Sequence, residues 1–232
     1  MTNRELDQLI ESRALPALPP DRLKQIENAL TANLKPVRPL AAEGIYFAGF
    51  AGIFVAICIA GWYFTGQNGW LALSGFQKLA VFVPLAACIA FLVFSLVRQM
   101  TPAAMGARSS AVFSAGLFAI LLLALAAIFQ PARESAFVHT GLACFRTGMT
   151  YAIPAAFLFA LLLLRGAALS PVLTGATAGG LAGLAGLAVL EIQCPNLNVY
   201  HIVTWHVSVT LVCVIAGLIL SSVTSRRWTS NK

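Results

Sequence analysis

The stretch Thr174-Gly-Ala-Thr-Ala-Gly-Gly-Leu-Ala-Gly-Leu-Ala-Gly186 carries no charged side chain and lies inside an apolar run over 172–191. A run of about 17 to 25 apolar residues is long enough to cross a bilayer as one helix. Gly175, Gly179 and Gly183 recur every four residues, and such a face of small residues lets two helices approach closely. The stretch therefore predicts a membrane helix packed tightly inside a bundle, with homodimerisation through the glycines as the alternative.

The same criterion selects five more apolar runs, so the sequence predicts six membrane spans. Their ranges are 45–65, 79–97, 110–130, 148–164, 172–191 and 199–222. Hydrophobic residues make up 59% of the chain and charged residues only 10%, which excludes a soluble enzyme. The predicted fold is an all-α six-helix bundle in the lipid bilayer over 45–222, between a polar N-terminal segment over 1–44 and a basic tail over 223–232.

The formal charge of +7 is distributed unevenly along the chain. Residues 1–44 carry six basic and six acidic side chains, so the excess positive charge belongs to the apolar part. With the N-terminus inside, twelve Lys or Arg residues lie on the inner side and three on the outer side. The positive-inside rule therefore predicts that both termini are cytoplasmic. The basic residues lie singly between apolar runs, so no direct contact with nucleic acid is predicted.

The polar N-terminal segment contains two short amphipathic patterns. The first is an apolar stripe formed by Leu6, Leu9 and Ile10. A second helix is predicted to start near Asp21, with an apolar face at spacings of three and four residues formed by Leu23, Ile26, Leu30 and Leu34. Helices this short are unstable alone in water, so their apolar faces need a partner. That partner is the membrane surface, the bundle itself or another protein.

Four stretches of the chain resemble NrsF-like proteins, which are six-span negative regulators of extracytoplasmic-function sigma factors. They are Leu30-Thr-Ala-Asn-Leu-Lys-Pro-Val-Arg-Pro-Leu40, Gly69-Trp70-Leu71-Ala72-Leu73-Ser74, Val97-Arg98-Gln99-Met100-Thr101-Pro102, and Cys194-Pro195 followed by His201 and Trp205-His206. The resemblance covers nearly the whole chain and implies an anti-sigma factor of the bacterial inner membrane. Its cytoplasmic N-terminal segment would hold the sigma factor away from RNA polymerase until a signal arrives.

The five cysteines fall into two groups. Cys144 and Cys194 lie in the third and fifth predicted loops, on the outer side, where the oxidising periplasm lets disulfides persist. The resemblance implies signal sensing by periplasmic cysteines, so this pair is the predicted redox or heavy-metal switch. Two unrelated thiols at helix ends are the alternative. Cys58, Cys88 and Cys213 fall mid-span and are predicted to pack as small hydrophobes.

Three histidines and one acid lie in the same outer half of the predicted map. His139, His201 and His206 could join the cysteines as zinc or copper ligands. However, His201 and His206 are five residues apart, about 140° around one α-helix, so we expect them not to share an ion. No metal or other cofactor is predicted. Glu191 ends span five, where we expect a solvated helix cap, although an ionisable group at a membrane is a candidate site residue.

No catalytic motif is present in the sequence. The nucleophile elbow, the P-loop, the dinucleotide-binding glycine motif and the zinc-protease histidine pair are all missing, so no enzyme is predicted. The leading function is the anti-sigma factor that the resemblance implies. The alternatives are a membrane redox protein that uses the cysteine pair or a histidine-bound haem, and a small-molecule transporter.

Overall fold

The computed structural model describes residues 19–32, 41–100, 107–132, 135–166 and 170–230. Every regular element in these ranges is helical, which confirms the all-α fold. The helices are α1 Pro20–Ala32, α2 Glu43–Thr65, α3 Asn68–Ala72, α4 Gly75–Met100, α5 Ala107–Ile128, α6 Phe137–Leu163, α7 Pro171–Gln193, α8 Val199–His201, a π-helical turn Ile202–His206, and α9 Val207–Ser230. The chain divides into two compact units, Met1–Pro39 and Leu40–Lys232.

Helix α1 is the described part of the first unit. Pro20 occupies its first position, where the missing N–H costs nothing, and Asp21 places a negative charge in the first turn, where the helix dipole favours it. Its apolar face consists of exposed side chains: Leu23, Ile26 and Leu30 are 54%, 46% and 66% exposed. Leu34, which was predicted on this face, lies outside the described residues, as do Leu6, Leu9 and Ile10 of the separate first stripe.

Five helices in the described part of the second unit are long and apolar enough to cross a membrane. They are α2, α4, α6, α7 and the continuous helical stretch Val199–Thr224. Helix α5 falls where the third span was predicted, but its described apolar stretch, Val112–Ile128, is shorter than the five helices above. Five of the six expected spans therefore have a matching long apolar helix, and the third span remains a prediction.

Helix α6 begins at Phe137, well before the predicted start of the fourth span at residue 148. Hydropathy falls around Arg146, but backbone hydrogen bonding continues a helix through polar residues. The hydroxyl groups of Thr140, Thr147 and Thr150 donate to carbonyls four residues earlier, which satisfies these polar side chains within the helix. Cys144 was predicted in a loop. This was wrong, because it lies on α6.

Helix α7 occupies the centre of the second unit, with 15 buried residues. It packs against α2, α4, α6 and α9, and most extensively against α9. A Cβ atom at Gly179 would collide with the backbone of Cys213 on α9, and one at Gly183 with Thr210. The glycine face therefore serves close packing within the chain, as the sequence predicted, and α9 covers the surface that a dimer through these glycines would use.

Contacts between helix ends give the bundle two distinct ends. At one end, Glu43 lies 3.8 Å from Arg98, and the hydroxyl of Tyr46 donates to the carbonyl of Arg165. At the other end, α3 packs on the end of α7, and the Trp62 and Trp70 rings lie 6.3 Å apart. When α5 is counted between α4 and α6, successive helices therefore run in alternating directions. The second end carries the candidate site.

Candidate functional site

A cluster of two thiols and two imidazoles lies where α6, α7 and the π-helical turn meet. Cys144, Cys194, His201 and His206 each place one ligand atom so that all four atoms lie within 4.8 Å of one another. The two Sγ atoms are 3.5 Å apart, and Nε2 of His201 lies 3.4 Å from Cys144 Sγ and 3.8 Å from Cys194 Sγ. The sequence thus correctly placed the two cysteines at the same end of the bundle.

The two cysteines are held by close packing around them. Cys194 caps α7, and its backbone N–H donates to the carbonyl of Leu190. Gly69 on α3 packs against this cap: a Cβ atom there would lie 2.6 Å from the Cys194 carbonyl oxygen. Gly141, one turn before Cys144 on α6, leaves the space that the Trp205 ring fills. Both glycines are therefore needed for the helices to approach at the site.

Asn198 fixes the start of the segment that carries the histidines. Its side-chain oxygen accepts from the N–H of Tyr200, which caps α8, and also from the N–H of Ala132. Its amide group donates to the Ala132 carbonyl at 2.8 Å. The loop after α5 is thereby tied to α8, and His201, the last residue of α8, is completely buried beside the thiols.

The expectation that His201 and His206 point apart was wrong. It assumed α-helical geometry, whereas Ile202–His206 forms a π-helical turn in which the N–H of Val207 donates to the Ile202 carbonyl. A π turn pairs residues five apart and so brings them towards one face. The two imidazole rings lie 5.3 Å apart, edge to face. The local change of helix type is what adds the second histidine to the cluster.

Glu191 extends the cluster through His206. Its carboxylate accepts a hydrogen bond from Nδ1 of His206 at 2.8 Å, and the two side chains are 3% and 1% exposed. The predicted solvated helix cap was therefore wrong, because α3 covers this end of α7 and His206 supplies a partner. The Nε2 atom of His206 is buried and has no hydrogen-bond partner among the described residues. Because Nδ1 is bonded to Glu191, Nε2 is the ring nitrogen that remains for an interaction with the cluster.

None of the five cysteines is in a disulfide bond in this structure. The hydrogen bond with Cys144 and burial raise the pKa of Cys194 to about 12. The Cys194 thiol is therefore protonated at neutral pH. Thiolates, not thiols, bind metals and attack disulfides, so either chemistry must remove this proton. Cys144 is partly exposed, so a solute can reach the otherwise buried cluster through this thiol.

The remaining candidate residues lie away from the cluster. His139 is exposed near the start of α6, and Cys58, Cys88 and Cys213 are not among the clustered ligands. Sequence reasoning missed Asn198, Gly141 and the role of Gly69. Asn198 is the second asparagine of an Asn-x-Asn pattern that directly precedes a helical run. This is a capping signal that could have been recognised. Nothing in the sequence indicates which helix the two glycines approach.

The comparisons with known proteins place the chain in a family. The family model described as negative regulator of sigma F matches residues 30–228. No match was found among the curated proteins or among the solved structures. Since the matched range covers most of the chain, including all four residues of the cluster and the resembling motifs, the chain belongs to the NrsF family, the negative regulators of sigma F.

Proposed function

We propose that the chain is an anti-sigma factor of the bacterial inner membrane that sequesters an extracytoplasmic-function sigma factor. The family match over residues 30–228 is the observation that carries this proposal. The five long apolar helices are compatible with a membrane protein. In the proposal α5 forms the third crossing, which brings the number of crossings to six, and both termini face the cytoplasm, as the positive-inside rule predicts.

The N-terminal segment is the proposed sigma-binding element. Leu23, Ile26 and Leu30 form an exposed apolar face on α1. An amphipathic helix of this kind binds a protein partner by laying its apolar face into a groove. Four further apolar residues of the segment complete the proposed surface, namely Leu6, Leu9, Ile10 and Leu34.

The proposed sensor is the pair Cys144 and Cys194. A disulfide bond is about 2.05 Å long, so closing the 3.5 Å gap between the Sγ atoms needs only a small movement. The two thiols would lose two protons and two electrons to a disulfide oxidant, which leaves as two thiols. A thiophilic heavy-metal ion would instead displace the two thiol protons and bind both sulfurs.

The proposed route from sensor to sigma factor runs through α7 and α2. Closing the cysteine pair would draw together α6, which carries Cys144, and the end of α7, which Cys194 caps. Helix α2 packs on the same part of α7, because Gly61 faces Val189 there. Since α2 directly follows the N-terminal segment, its displacement would reach the sigma-binding element. A signal can shift this equilibrium only by favouring one of the two arrangements.

The test is capture of a host sigma factor by the full-length protein in detergent. Reduced protein is expected to retain the sigma factor, and oxidised protein to release it. A protein with Cys144→Ser and Cys194→Ser is expected to retain it under both conditions. Failure of the reduced protein to capture any extracytoplasmic-function sigma factor of the host would refute the proposal.

A membrane redox protein is the second candidate, because the thiol pair and two buried imidazoles at the site are also suited to electron transfer. The visible spectrum of the purified protein separates the two functions. A haem band would favour the redox protein, whereas the anti-sigma proposal expects a colourless protein.

A further inference from the structure

We propose that Cys144, Cys194, His201 and His206 form a tetrahedral binding site for a zinc ion, with Glu191 positioning His206. This inference rests on the proposed function in one respect only, in that it gives the sensor a resident ligand. The ion-binding chemistry itself follows from the geometry of the cluster.

The spacing of three of the four ligand atoms fits a four-coordinate ion. With Zn–S bonds of about 2.3 Å and Zn–N bonds of about 2.0 Å, a tetrahedron has S···S edges of about 3.8 Å and S···N edges of about 3.5 Å. The observed Sγ–Sγ distance is 3.5 Å, and the two distances from His201 Nε2 to sulfur are 3.4 and 3.8 Å. The longest separation in the cluster, 4.8 Å, involves His206 and exceeds a tetrahedral edge, so the His206 ring would have to move inward to supply the fourth ligand.

The ligand types and their burial also favour zinc. Two thiolates and two imidazoles form one of the usual ligand sets of structural zinc sites. The two thiolate charges cancel the charge of the ion, which lowers the cost of holding it where Cys194, His201 and His206 are all buried. Binding would release the protons of both thiols, so atoms and charge balance.

Glu191 gives the site the outer interaction that metal-binding histidines commonly have. Its carboxylate accepts from Nδ1 of His206 at 2.8 Å, and in the neutral imidazole this arrangement leaves the lone pair on Nε2. That Nε2 atom is buried and has no hydrogen-bond partner among the described residues. A bound ion would satisfy this atom. Glu191 is thus a positioning residue and does not contact the ion.

A resident zinc ion would also change how the sensor works. Both sulfurs would be occupied, so oxidation to the disulfide would have to release the ion. A more thiophilic ion such as Cd²⁺ would compete for the same sulfurs. Zinc would therefore have to leave or be exchanged before either signal could act on the sulfurs, and release of the sigma factor would follow from the new sulfur–sulfur or sulfur–metal bonds, not from the absence of zinc itself.

Cobalt titration of the full-length protein in detergent tests the ligand set. The protein is reduced, stripped with a chelator and titrated with Co²⁺ as a spectroscopic probe. We expect saturation at about one ion per chain, with sulfur-to-cobalt charge-transfer bands, the intense visible bands of tetrahedral cobalt, and displacement by Zn²⁺. Weak octahedral bands, or no saturable binding by the folded protein, would overturn the inference.

Variants with matched controls assign the ligands. Cys144→Ser and Cys194→Ser are expected each to lose about half of the charge-transfer intensity, whereas Cys58→Ser keeps all of it. His206→Ala is expected to weaken binding, whereas the exposed His139→Ala leaves it unchanged. Glu191→Gln is expected to weaken binding about 10- to 100-fold while the tetrahedral spectrum is retained at saturation. Equal affinity of the wild type, His206→Ala and Glu191→Gln would exclude His206 as a ligand and overturn the proposed four-ligand site.

A parallel sigma-capture assay separates this inference from the proposed function. Cobalt binding without sigma capture leaves the metal site standing and refutes the anti-sigma proposal. Sigma capture with thiol-dependent release, but without cobalt binding, refutes the metal site alone. A chelator-treated variant that binds neither cobalt nor the sigma factor is checked for helicity by circular dichroism. If that variant is unfolded, the cobalt affinity of Glu191→Gln decides about the metal site, because this substitution preserves the shape of the side chain.

Discussion

Nδ1 of His206 donates to the carboxylate of Glu191 at 2.8 Å, with both side chains buried at the end of the central helix. The two residues lie on different helices and come together only through the π-helical turn. Their contact ties the segment with both histidines to the helix that Cys194 caps. It therefore connects the imidazole half of the cluster to its thiol half.

Removal of this carboxylate should destabilise the protein. Glu191→Ala leaves the N–H of His206 buried without an acceptor, and such a loss costs about 1 to 3 kcal/mol. The control is Glu43→Ala, because Glu43 pairs with Arg98 at 3.8 Å with both side chains well exposed. An exposed pair of this kind is worth at most about 1 kcal/mol. Thermal unfolding in detergent measures both, and equal losses of Tm would contradict a structural role for the buried contact.

The pair Cys144 and Cys194 should form a disulfide within one chain on oxidation. The protein is treated with oxidised glutathione or diamide, denatured, and labelled with a maleimide. Wild type is expected to lose two labelled thiols out of five, and the loss should be restored by reductant. Cys58→Ser serves as the control and should still lose two. If all five thiols remain labelled after oxidation, the cysteine pair is not a redox switch.

A methyl group added at Gly69, which is not itself a member of the thiol and imidazole cluster, should disturb the packing that holds Cys194. Gly69→Ala would place a Cβ atom 2.6 Å from the Cys194 carbonyl oxygen and 2.8 Å from that of Glu191. Backbone atoms cannot move aside as a flexible side chain can, so we expect a loss of about 1 to 3 kcal/mol and slower disulfide formation. At Gly75 a Cβ atom meets nothing within 4 Å. Gly75→Ala is therefore the control, and equal effects of the two changes would contradict the packing described.

The apolar face of α1 should govern sigma capture. Leu23→Ala combined with Ile26→Ala is expected to weaken capture at least about 30-fold, since apolar anchors at a protein interface often contribute about 2 kcal/mol or more. Gln25→Ala combined with Asn28→Ala changes the opposite, polar face of the same exposed helix and should leave capture intact. Titration of full-length variants with labelled sigma factor gives both affinities. A similar loss in the two variants would place the interface elsewhere.

Hydropathy predicted the helices well, because each apolar run must satisfy its own backbone hydrogen bonds in the bilayer. It also placed Cys144 and Cys194 at the same end, since alternate loops of a bundle share a side. It failed at α6, where a helix continues through Arg146, and at Glu191, whose burial depends on α3 and His206. These are properties of packing between segments distant in the sequence.

The histidines show the limit of local reasoning most clearly. An α-helical wheel separates His201 from His206, and only the π-helical turn at Ile202–His206 brings them together. A π turn costs backbone hydrogen bonding and commonly occurs at functional sites. No residue pattern in this segment predicts the π-helical turn. The sequence therefore offered these residues only as separate candidates, and the tertiary structure was needed to group Cys144, Cys194, His201 and His206 into one ligand set.

The most direct test of the account is the retention of an extracytoplasmic-function sigma factor by the full-length protein before and after the cysteine pair is closed. Reduced wild type should hold the sigma factor, and oxidation should release it. The protein with Cys144→Ser and Cys194→Ser should hold the sigma factor under both conditions. Retention by oxidised wild type with a confirmed Cys144–Cys194 disulfide, or release from the double serine variant under the same oxidant, would contradict the account.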